Sequence, residues 1–234
     1  MKLLLRLKFS LLLFSLFLMT GCDKEVAFKN PADVVFDVGM TPQGIGASDD
    51  LTFSDGYVIL HYFTVIGERA VGEDFEFSRT FPNGLKIPFY NNLTFEDLSF
   101  ELPEGAYTNL KVRFETKRSN VPSVFVEGNY DYNNPLKRSS TVHLAWNTAK
   151  IFEMSVLSPT GSSSFTLSET KKELAQIIFQ PKRWFANVTE LMLENATFVT
   201  DPSQAQTMTI DQVTNTAIFI ELDSEIGVEL TCTL

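Results

Sequence analysis

The chain has 234 residues, a formal net charge of −10, 44% hydrophobic residues including 21 phenylalanines, and two cysteines. An acidic surface excludes nucleic acid and other polyanions as charge-driven partners, and a single possible cysteine pair excludes a disulfide framework. The apolar content suffices for one large core or two small ones.

Lys2, Arg6 and Lys8 open the chain as a positive segment, and residues 9–21 then run apolar or small through Leu11, Leu12 and Leu13. That run is too short to cross a bilayer, which takes about 20 apolar residues. It reads as the h-region of a signal peptide. It ends in Leu18-Met19-Thr20-Gly21-Cys22. A small residue before a cysteine at this place resembles the bacterial lipobox. The resemblance implies that the signal peptide, residues 1–21, is cut off, that Cys22 is lipidated, and that two or three acyl chains hold the protein on a membrane. Cleavage leaves 213 residues and, by removing three cations, takes the net charge to −13. The expected address is the cell envelope, with the outer membrane favoured. Residues 22–32 read as a lipidated tether, and residues 33–234 as one β domain.

Within that domain, residues 34–40 form the first expected strand, and Pro42, Gly44 and Gly46 mark a loop. Residues 51–53 read as a short strand before an Asp55-Gly56 turn. Residues 57–66 are aromatic or β-branched almost throughout and read as a central strand covered on both faces. Phe75 and Phe77 alternate with Glu76 and Ser78, and residues 85–90 form a further strand. Leu102-Pro103-Glu104-Gly105-Ala106-Tyr107 is a turn, since Pro103 presets φ and Gly105 permits a positive one. After it Leu110, Val112 and Phe114 point inward and Lys111, Arg113 and Glu115 outward, the pattern of a half-solvated antiparallel strand. This Leu-Pro-x-Gly-x-Tyr turn with its alternating strand resembles one common in secreted bacterial β-sandwich modules.

Strands are expected at residues 124–127, 140–146, 150–157 and 173–179, with a turn-rich loop over 128–135 and a Ser-rich loop over 158–164. Pro181 suggests a short helix, Thr189 to Asn195 another turn, and Asn215 the cap of a helix through Leu222, although Ile218-Phe219-Ile220 suits a strand equally well. Residues 228–234 close the chain as a strand with Cys232 on its apolar face, a buried thiol. The fold class is therefore mainly β: an antiparallel β-sandwich with one or two short helices in the C-terminal third. The segment Phe179-Gln180-Pro181-Lys182-Arg183-Trp184-Phe185, with Asn195-Ala196 downstream, is similar to a group of uncharacterised Gram-negative envelope lipoproteins whose all-β domain has no assigned function.

Three functional readings follow. The first is a non-catalytic binding or structural module on the membrane, with a neutral glycan or a protein as partner. Its expected ligand surface is the loop carrying Tyr130 and Tyr132, whose rings share one side of an extended segment among asparagines, with Trp146 and Trp184 as further stacking residues. The second is an envelope glycan hydrolase using an Asp/Glu pair. The third is a metal-binding lipoprotein, with His61 and His143 or the carboxylates Asp49, Asp50 and Asp55 around Ca²⁺. No Gly-x-Ser-x-Gly elbow, phosphate loop or Cys/His ligand spacing occurs, so no cofactor is expected.

Overall fold

The fold follows from alternation. In the computed structural model, which describes residues 30–41, 50–89, 96–132, 139–200, 202, 205–227 and 230–234, inward positions of almost every long strand are apolar. Cys22 and the tether up to residue 29 lie outside these residues. Strands take 55% of the described residues and helical turns 13%, so the protein is mainly β.

Strand β1 (Ala32–Met40) is followed by the long β2 (Leu51–Arg69), β3 (Phe75–Pro88), β4 (Ser99–Leu102) and β5 (Gly105–Thr116). Then come β6 (Val124–Tyr130), β7 (Ser140–Trp146), β8 (Ile151–Leu157), β9 (Phe165–Leu167) and β10 (Glu173–Phe179). Two short helices follow, α1 (Pro181–Trp184) and α2 (Glu190–Glu194), then β11 (Val199–Thr200), β12 (Gln206–Ile210), α3 (Thr216–Glu225) and β13 (Thr231–Thr233). The strands join in the order β11-β12-β7-β6-β2-β5-β8-β13-β10-β1-β4, with β3 on β2 and β9 on β5.

This sheet is mixed and curled, not the purely antiparallel arrangement expected. Among the described residues three pairings are parallel: β1 with β10, β7 with β12 and β8 with β13. Alternation and turn residues reveal local hairpins, whereas each parallel pair joins strands distant in sequence. Strand β2 is central, as its two apolar faces suggest: it pairs with β3 along one edge, and with β6 and then β5 along the other.

It is also longer than its sequence implies. Residues 51–66 are one strand, with no turn at Asp55-Gly56 but a register shift between Phe53 and Asp55. Gly56 serves close approach, since a Cβ there would sit 2.6 Å from the Phe125 carbonyl oxygen and 2.7 Å from the Phe89 ring. Gly128 does the same inside β6, where a Cβ would come within 2.2 Å of the Thr52 carbonyl oxygen. Two glycines that read as turn formers are thus places where strands press together.

In β5, Leu110, Val112 and Phe114 are buried while Arg113 is exposed. At its start the Tyr107 hydroxyl donates to the Pro103 carbonyl, the closure of a tyrosine corner. The core is rich in aromatic rings. Phe36 of β1 meets Phe63 of β2 at 5.2 Å between centroids, and Phe114 and Phe152 each meet Phe179 of β10.

The helices cover one part of this core. Pro181 stands in the first turn of α1, Thr189 caps α2 by accepting from the Met192 N–H, and Asn215 precedes α3 in the left-handed conformation. Asn215 does not cap α3 through its side chain. Its amide accepts from the Thr197 N–H and donates to the Thr197 and Thr209 carbonyls, tying α3 to the neighbouring strands. Cys232 in β13 is fully buried, and burial pushes its thiol up to about 12. The Ser-rich loop lies within the single unit formed by Pro31–Leu234. Among the described residues no helix is long and apolar enough to cross a membrane.

Candidate functional site

The residues singled out from sequence go to different places. Tyr130 is the last residue of β6 and fully buried, and Tyr132 is buried just beyond it. Their rings do share one side, 4.6 Å apart at 67°, but that side is the core. The shared stacking platform expected in a loop is therefore corrected: these rings pack inward and present no open face. Burial, with the charges of Glu194, Glu190 and Asp50 adding to it, pushes the Tyr130 hydroxyl up to about 12. Among the described residues that hydroxyl has no hydrogen-bond partner. Trp146 and Trp184 are also buried, edge to face at 5.5 Å. Trp146 donates through Nε1 to Asp223 Oδ1 at 2.8 Å, so both are core residues rather than a sugar platform.

His61 Nδ1 lies 3.3 Å from the Phe81 carbonyl oxygen, whereas His143 Nε2 lies 3.1 Å from Glu127 Oε2. The two histidines thus stand on β2 and β7 with separate partners. Asp55 accepts from the Gly56 N–H, and the Asp50 carbonyl accepts from the Asp131 N–H; Asp49 lies outside the described residues. Among the described residues no group of three or more His, Cys, Asp or Glu side chains is placed to hold a metal ion.

The arrangement with the most binding chemistry lies on the solvent face of the sheet, across β3, β2, β6 and β7. Alternation creates it. Val58, Val124, Val126, Val142 and Leu144 are fully buried, so their neighbours Tyr57, Phe125, Glu127 and His143 stand on the opposite face, half-buried. Tyr57 and Phe125 are register partners, their rings stacked at 5.5 Å and 27°. On one side the Lys86 ammonium sits 3.8 Å above the Tyr57 ring, a cation–π contact. On the other side His143 lies 5.3 Å from Phe125 and is held by Glu127. Burial raises the Tyr57 hydroxyl above the ordinary tyrosine range.

The strip thus reads ammonium, phenol, phenyl, imidazole, carboxylate. Each ring is braced by a neighbour, so little rotamer freedom remains to be lost on binding. Such a surface can stack on a flat or ring-bearing ligand and hydrogen-bond its edge. Sequence reasoning passed over it, although a signal exists: Phe125 is an aromatic residue at an outward position between two inward valines, and His143 alternates with Val142 and Leu144. What the sequence lacks is the pairing that brings them side by side.

A concavity of about 430 Å³ lies elsewhere, between α2 and the start of α3, with Leu191, Met192, Asn195, Thr197, Asn215 and Ile218 in its lining. Of its two asparagines, Asn215 is spent on Thr197 and Thr209, and Asn195 donates to the Leu191 carbonyl, which makes the concavity a joint rather than a reader of ligand. No family model, no curated protein and no solved structure matches this chain.

Proposed function

We propose that the protein is a lipid-anchored cell-envelope protein whose β domain is a non-catalytic binding module, with the strip Lys86, Tyr57, Phe125, His143 and Glu127 as its ligand surface. The observation that carries the binding role is the braced stack of Tyr57 on Phe125 at 5.5 Å on the outer face of the sheet. The anchor rests on Leu18-Met19-Thr20-Gly21-Cys22, and the outer membrane is the favoured address. Contacts such as Phe36 with Phe63 and Phe114 with Phe179 support reading the curled sheet as a sandwich-like scaffold. A neutral glycan or a protein segment fits the strip. It offers both donors and acceptors beside apolar ring faces, while the overall negative charge disfavours polyanions.

Two variants test the two halves of this reading. Cys22→Ser in the full chain is expected to leave the protein unlipidated and out of the detergent phase; retention there after signal removal overturns the anchor. Tyr57→Ala combined with Lys86→Ala is expected to abolish capture of envelope glycan or protein while the domain still melts cooperatively. Unchanged capture removes the strip from the reading.

A further inference from the structure

The point where the chain enters the domain also marks one end of the sheet. Ala32, the first residue of β1, pairs with Leu102 of β4. Two residues later Glu104 accepts, through its carbonyl, from Arg69 Nη2 at 2.8 Å, and Ala70 N–H donates to the Ala106 carbonyl at 2.9 Å. Arg69 ends β2, so the tip of the β2–β3 hairpin and the entry of the chain lie together. At that tip Val71 is 81% exposed, and beside it Phe77, 40% exposed, stacks on Phe75 at 4.9 Å. Leu174, near the start of β10 and register partner of Val35, adds a further exposed apolar side chain. Asp74 closes the hairpin by accepting from the Arg69 N–H at 2.9 Å.

We propose that this end of the sheet rests on the bilayer surface, with Val71 as its apolar contact, leaving the Tyr57–Phe125 strip directed away from the membrane. The proposal relies on the reading of Cys22 as the lipidated residue. Only nine residues, 23–31, separate Cys22 from Ala32, a reach of at most about 35 Å even fully extended. The chain therefore holds Ala32, where this end of the sheet begins, within one tether length of the lipid. A single valine is a weak contact alone, but a short tether raises its effective concentration to the order of millimolar. Tyr57 stands twelve residues back along β2 from Arg69, up to about 40 Å at ~3.3 Å per residue, which leaves room for a ligand. Glu73 and Asp74 beside the tip oppose anionic headgroups, so the lipid expected there is zwitterionic.

Full-length lipidated protein in phosphatidylcholine vesicles provides the test. Val71→Cys carries an environment-sensitive fluorophore, and Leu191→Cys, on α2 and 69% exposed, carries the same label as control. The native Cys232 thiol is buried and does not compete. The probe at 71 is expected to be blue-shifted and quenched severalfold more by nitroxide-bearing lipid than the probe at 191, with the reverse order for aqueous iodide. Equal behaviour of the two probes in protein that floats with the vesicles overturns the proposed orientation and leaves the anchor standing. Protein that never floats overturns the anchor, and the orientation with it.

Discussion

Two tyrosines show how one residue type serves different ends. Tyr107 and Tyr130 are both buried, and burial pushes each hydroxyl up to about 12, opposed at Tyr107 by the charge of Arg69. The Tyr107 hydroxyl is bonded to the Pro103 carbonyl, whereas that of Tyr130 has no partner among the described residues. Tyr107→Phe is therefore expected to cost about 1–2 kcal/mol, and Tyr130→Phe to be neutral or stabilising. Thermal melts of the two variants at neutral pH check the contrast. Both pKa values are raised on folding. The stability from keeping these hydroxyls protonated is thus fully present below pH 10, the unfolded range, and is lost as pH rises toward 12. In an absorbance titration at 295 nm, two of the six tyrosines should ionise only together with loss of near-ultraviolet circular dichroism. Ionisation of all six near pH 10 in a still-folded protein would contradict this.

At the scale of elements, legibility depended on what water sees. Strand β5 was readable because one face is solvated, so its alternation survives in the sequence. Val112→Asp should cost more than about 3 kcal/mol by burying an unpaired charge, while Arg113→Ala stays within about 0.5 kcal/mol. Equal melting temperatures would mean the register of β5 is wrong. In the sequence β6 reads as ending at Glu127, because Gly128 has the appearance of a turn residue, whereas the strand runs to Tyr130. Gly128 sits instead where β6 presses against β2, and the obstructing atom is the Thr52 backbone oxygen, which cannot rotate away. Ending the strand at Glu127 places Tyr130 and Tyr132 in a loop, while Phe125, inside the expected strand, has its ring partners Tyr57 and His143 on other strands. The candidate site was thus legible residue by residue, in which positions face out, but not as a site, because a strip across four strands depends on pairings that no local pattern records.

The whole molecule is closed by contacts of long sequence separation. Register pairs run from Val34 to Glu173 and from Ile177 to Cys232, and in such a topology the entropy of loop closure precedes the reward of contact. Strand β13 carries particular weight. It pairs antiparallel with β10 and parallel with β8, and among the described strands it alone joins β10, β1 and β4 to β8 and the strands beyond. Its central side chain, Cys232, is fully buried, and Leu234 N–H donates to the Leu157 carbonyl at 2.8 Å. Removing residues 230–234 would expose the edges of β8 and β10 inside the fold, leaving their peptide groups unpaired next to apolar surface. The truncated chain is expected to lose its single cooperative melt and to bind a hydrophobic dye such as anilinonaphthalene sulfonate. Cys232→Ala keeps the strand and its ladder, and should instead retain one transition at a lower temperature. Should the truncated chain melt as one unit at the full-length temperature, the two parts of the sheet are held by the Phe114, Phe152 and Phe179 rings rather than by β13.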